Sequence, residues 1–105
     1  QFDKAIQAKN NESRRLSKSL ENHQWFIQAY DAEYRYFSTI DPDTLDPVQK
    51  LRLQGIPNWI TREQNECERL SRLITKIYWD IKVLEYERDS QQDSQGKKNS
   101  FLNLI

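Results

Sequence analysis

From Ile60 to Leu84 apolar residues recur at alternating spacings of three and four: Ile60, Cys67, Leu70, Ile74, Ile77, Ile81 and Leu84, broken only by Glu63. Written as a heptad, Ile60, Cys67, Ile74 and Ile81 fall at a, and Leu70, Ile77 and Leu84 at d. Such a 3,4 repeat keeps one narrow stripe of a helix turned toward a neighbouring helix, the mark of a coiled coil. Leu73 at g and Tyr78 at e widen the stripe, which suits a bundle of three or four helices better than an isolated pair. In a parallel dimer Asp80 at g would meet Glu85 at e of the other chain, a like-charge contact that disfavours a parallel zipper.

The first segment follows the same alternation through Phe2, Ile6, Lys9, Ser13, Leu16, Leu20, His23, Ile27, Tyr30, Tyr34 and Phe37. Lys9 and Ser13 interrupt it early, so the pattern predicts a helix over residues 1–40 whose first turns fray. A second stripe occupies only the later half of this helix: Trp25, Ala29, Ala32 and Tyr36, spaced four, three, four. Two stripes on one helix call for two packing neighbours.

Between the long segments, residues 41–58 carry the chain's three prolines, at 42, 47 and 57. Asp41, Asp43 and Asp46 are candidate helix caps, and Asp46 before Pro47 is the cap-then-N1 arrangement that starts a helix. The expected product is a short connector helix over 47–54, pinned by Leu45, Val48, Leu51 and Leu53 and stopped by Gly55 in a left-handed C′ conformation. An extended Ile56–Pro57 stretch would follow. The next helix, 59–89, could be capped by Asn58 or by Thr61, whose spacing to Gln64 fits a capping box. Residues 90–105 lack periodicity until the apolar Phe101, Leu102, Leu104 and Ile105, and read as a flexible tail. The fold class expected is therefore all-α: a long helical hairpin with a short connector helix, coiled-coil or bundle packing, and a disordered C-terminal tail.

On the heptad helix, Trp79 and Tyr86 lie at f and Val83 at c, opposite the a/d seam. An aromatic side chain buries about 150 to 250 Å², which at roughly 25 cal/mol/Å² amounts to several kcal/mol. A covered position is therefore favoured for Trp79. The Trp25, Ala29, Ala32, Tyr36 stripe has small residues where a large neighbour fits, so the expectation is that these two f/c faces close the hairpin. The a/d seam would then remain free for a partner.

Composition narrows the function classes. Apolar residues make up 36% of 105 positions, against roughly 45 to 50% in ordinary globular chains, so a spherical core is not expected. Sixteen basic residues balance sixteen acidic ones, interspersed in both long segments, which removes the simplest argument for an anionic partner. Arg14, Arg15 and Lys18, and Lys97 with Lys98, are too few to bind nucleic acid strongly at physiological salt. A near-neutral aromatic helix also lacks the basic face of a membrane-surface helix, and no apolar run is long enough to span a bilayer.

Candidate chemistry is sparse. Cys67 has no base and orienter beside it in sequence, and at an a position cysteine packs as a small apolar side chain. His23 stands alone without metal-ligand spacing. Glu63, Glu66 and Glu68 fall in early helical turns, where the macrodipole favours negative charge. No phosphate-cradling loop or nucleophile elbow is present, so no enzyme activity, cofactor or small-molecule substrate is expected.

The single cysteine and the absence of a signal-like N-terminus point to an intracellular chain, cytoplasmic or nuclear, most simply a piece of a longer protein. The function expected is an oligomerisation or scaffold module, homodimeric through Ile60, Cys67, Leu70, Leu73, Ile74, Ile77, Tyr78, Ile81 and Leu84. The rival is an adaptor that presents the same helix to a different protein in a multi-subunit complex, such as a nuclear, chromatin- or transcription-related one.

Overall fold

A computed structural model describes the backbone from Gln1 to Leu104 and the side chains of residues 1–92. Two long helices, α1 (Phe2–Ser38) and α2 (Pro47–Leu104), pack against each other as a hairpin, joined by one 3-10 turn at Pro42–Thr44. No strand occurs among the described residues.

The connection is built by the residues that the sequence marks for it. At the end of α1, the Thr39 and Ile40 N–H groups donate to the Tyr36 and Phe37 carbonyls, tightening the last turn. An Asp41 carboxylate oxygen then accepts from the Asp43 N–H at 3.1 Å, an Asx turn that starts the 3-10 element. Asp46 caps α2 reciprocally with Gln49: the Gln49 N–H donates to Asp46 Oδ1 at 2.8 Å, and the Asp46 N–H to Gln49 Oε1 at 2.9 Å. Two orphan donors are satisfied, and Pro47 at N1 has none to lose.

The separate connector helix at 47–54 and the fresh start at 59 are corrected: α2 is continuous through both. Gly55 has no positive φ, and neither Asn58 nor Thr61 caps a helix; the Thr61 hydroxyl donates to the Pro57 carbonyl at 3.0 Å. The reason lies in phase. Leu53, Ile56 and Ile60 already stand in the a, d, a register of the seam beyond them, and Ile56 is fully buried. A break at Gly55 would rotate Ile56 out of that stripe. Its burial and that of its neighbours offset an internal proline, which costs about 3 kcal/mol through a lost donor and a clash with the carbonyl four residues back.

Past Asp89, where the sequence ends the helix, Ser90, Gln91 and Gln92 are still helical and exposed. The expected flexible tail, with Lys97, Lys98 and the apolar Phe101, Leu102, Leu104 and Ile105, otherwise lies outside the residues whose side chains are described.

Contacts between the helices set an antiparallel register. Asp3 pairs with Arg88 (3.0 Å), Lys9 with Asp80 (3.4 Å), His23 with Glu63, and Glu33 with Arg52 (2.6 Å), partner numbers falling as the α1 numbers rise. Leu45, Ile56, Leu70 and Ile77 are buried, while most other seam positions are half-buried. With one neighbour each, two helices cannot enclose side chains on all sides, in keeping with the low apolar fraction.

Candidate protein-docking faces

The seam from Ile60 to Leu84 is the inner face of the hairpin. Leu70 and Ile77 are buried, and Ile60, Cys67, Leu73, Ile74, Ile81 and Leu84 are half-buried. On α1 the stripe through Phe2, Ile6, Lys9, Ser13, Leu16, Leu20, His23, Ile27, Tyr30 and Phe37 is half-buried, with Tyr34 alone among its members exposed. The expected interface residues thus stay inside one chain, apart from Tyr78 at e, which is exposed.

The residues expected to close the hairpin point outward. Trp25 is 62% exposed, Tyr36 63%, Trp79 61%, Val83 55% and Tyr86 74%; Ala32 is exposed and Ala29 intermediate. The antiparallel register explains this correction. Because Asp80 pairs with Lys9, Trp79 and Tyr86 stand at the open end, level with the first turns of α1. Trp25 and Tyr36 stand toward the turn, roughly 20 to 40 Å away along the axis at 1.5 Å per residue. The two f/c stripes cannot meet within one chain, whereas the two a/d stripes run side by side along its length.

Near the turn, Tyr30 of the α1 stripe meets the g residues Phe26, Glu33, Arg52 and Trp59 in a cluster that sequence periodicity does not single out. The Tyr30 and Trp59 rings lie 5.7 Å apart across the helices, with Phe26 stacked on Tyr30 at 6.2 Å and Trp25 edge-on to Phe26 at 5.3 Å. The Arg52 guanidinium lies 5.3 Å over the Trp59 ring and grips both Glu33 carboxylate oxygens, at 2.6 and 2.9 Å. This bidentate bond holds the Glu33 carboxyl below its usual pKa and raises that of Arg52. The signal for it was the aromatic and charged content of the g positions, legible only once the helix partner was known.

Trp59 also explains Gly55, one turn before it. A Cβ on Gly55 would come within 2.6 Å of the Trp59 ring, so the glycine makes room for the indole rather than ending the helix.

The other candidates are placed as follows. Cys67 is half-buried on the inner face, and burial, with Glu63 and Glu66 nearby, pushes its thiol pKa up. That direction weakens a nucleophile. Asp41 and Asp46 act as caps. Among the described residues, no three His, Cys, Asp or Glu side chains are placed to hold a metal ion. Arg14, Arg15 and Lys18 are exposed and take part in no ion pair among the described residues; nor do Asp41, Asp43 and Asp46.

Val48 and Leu51, expected to pin the connector, instead stand exposed on the first turns of α2, and the arrangement offers two outward aromatic faces besides. One is Trp25, Phe26, Ala29, Ala32 and Tyr36 on α1, toward the turn. The other is Tyr78, Trp79, Val83 and Tyr86 on α2, toward the open end, where Lys82 lies 5.2 Å over the Tyr78 ring. No protein-family model matches this chain, and neither the curated proteins nor the solved structures contain a match to it.

Proposed function

We propose that this chain is an assembly module: a self-closed helical hairpin that docks onto other helices through its outer aromatic faces. The observation that supports this reading is the exposure of Trp25, Tyr36, Trp79 and Tyr86, each more than three-fifths open to water. Scattered apolar residues on a surface need no explanation, but aromatic residues repeated at helical spacing on one face form a patch of the kind that marks interaction sites. The docking role that periodicity assigns to the Ile60–Leu84 seam passes to these faces, because α1 already covers the seam.

Hydroxyl-radical footprinting tests the proposal, comparing the dilute purified chain with the same chain inside the cells that produce it. Lower oxidation of Trp25 and Tyr36, or of Trp79 and Tyr86, in the cell than in dilute solution is expected. Equal oxidation in both settings would remove the assembly role.

A further inference from the structure

Resting on that reading, we infer that the partner of the α1 face is a second copy of this chain, laid antiparallel so that the two α1 helices pair through Trp25, Ala29, Ala32 and Tyr36. The pattern large, small, small, large at spacings of four, three, four is the same read in either direction. A two-fold interface needs such a surface, because one patch must complement itself. Centred between Ala29 and Ala32, the pairing sets Ala29 opposite the partner's Ala32 and Trp25 opposite the partner's Tyr36. The alanines allow the helix axes to approach closely, and each aromatic residue closes one end. The α2 face lacks this property, since Val83 between Trp79 and Tyr86 leaves no small centre.

Charge makes the same assignment independently. Continued toward the N-terminus, the f/c stripe of α1 runs through Lys18 and Arg15; at its other end is the acidic turn of Asp41, Asp43 and Asp46. All five side chains are exposed and outside the ion pairs of the hairpin. Within one chain, Lys18 and the turn are separated by about 30 Å of helix. In the antiparallel pair, Lys18 and Arg15 of each copy reach the acidic turn of the other, so both ends of the contact are neutralised. A parallel pairing would set cations against cations.

Area sets the strength. With about three-fifths of each of four aromatic side chains available, out of about 150 to 250 Å² apiece, these residues alone cover on the order of 400 to 600 Å². The alanines and the stems of Lys18 and Arg15 bring the total toward the low end of specific interfaces, about 1,200 Å². The dimer expected is reversible and in the micromolar range.

Sedimentation equilibrium of the full chain across the micromolar range, at low and high salt, tests this. A monomer–dimer equilibrium is expected that weakens in high salt and weakens about tenfold or more on Ala32→Glu or Trp25→Ala. Ala32 is exposed, so the thermal unfolding of the dilute Ala32→Glu chain should match the parent's and exclude a folding defect. Lys18→Glu should weaken the dimer, and adding Asp43→Lys should restore it. A chain that stays monomeric, or a dimer indifferent to Ala32→Glu and to the charge exchange, would overturn the self-pairing. Protection of Trp25 in cells combined with a monomer in the centrifuge would leave the assembly role standing and assign the face to a different protein.

Discussion

His23 Nδ1 and Glu63 Oε2 are hydrogen-bonded across the hairpin, and each residue is a polar break in the apolar stripe of its own helix. Lys9, an earlier break in the α1 stripe, finds Asp80 in the same way. Interruptions that weaken each stripe in isolation therefore serve, once paired, to choose one register among the heptad slips that the apolar residues alone would tolerate.

Replacing one member of that rung leaves the other half-buried against an apolar side chain. His23→Leu and Glu63→Leu should each cost about 1 kcal/mol. The double variant should recover that loss or exceed it, since a well-packed apolar pair often matches a buried polar one. A urea-denaturation double-mutant cycle would measure the coupling, expected at about 1 kcal/mol.

The Glu33–Arg52 pair predicts a specific acid sensitivity. The Glu33 carboxyl is held below its ordinary value of 4.5 by the Arg52 hydrogen bonds. A carboxyl with a depressed folded-state pKa contributes stability that is fully present above the unfolded value and is lost as pH falls through the folded one. The stability advantage of the parent over Glu33→Gln should therefore be constant near neutrality and shrink below pH 4.5. Urea midpoints for the two chains over an acid series check this.

Cys67 should react slowly with alkylating agents at neutral pH, because burial first and the Glu63 and Glu66 charges next disfavour its thiolate. The rate should rise when urea opens the hairpin, and modestly with Glu63→Gln in the folded chain. Mild oxidation should yield no Cys67-linked dimer, since the thiol faces α1 rather than a second chain. Mass spectrometry follows all three outcomes.

Pro57 is exposed inside a continuous helix. Pro57→Ala restores a backbone donor and removes a ring clash, and should stabilise the chain by about 2 kcal/mol after allowing for the greater freedom of the unfolded state. Gly55→Ala should do the opposite despite the better helix propensity of alanine. Its methyl group would displace a Trp59 ring held between Tyr30 and Arg52, at a net cost of about 1 kcal/mol and with a shifted tryptophan emission. Thermal unfolding of both variants measures the contrast.

Much of the architecture was legible in the residues. The 3,4 spacing marked two long helices, and Asp41–Pro42 and Asp46–Pro47 placed the turn and its caps, because caps and turns depend on neighbours a few positions away. The same local chemistry misread Gly55 and Pro57 as a break. There the phase of Leu53, Ile56 and Ile60 with the seam outweighed an internal proline, a comparison that only the packed helix makes.

The division of faces was not legible at all. Periodicity states that a helix has a stripe to cover, and it assigns Cys67 to one stripe and Trp79 to another; it carries no information about which helix does the covering. The antiparallel fold decided that. It laid the two full-length a/d stripes together, with His23 against Glu63 and Lys9 against Asp80, and set Trp25 and Trp79 at different levels of the hairpin, facing out. Sequence alone determined the helical class, the turn after α1 and the stripes, since these arise from contacts close along the chain. Tertiary structure decided which stripe became the core and which the surface, because that depends on residues far apart in sequence meeting at one level of the hairpin.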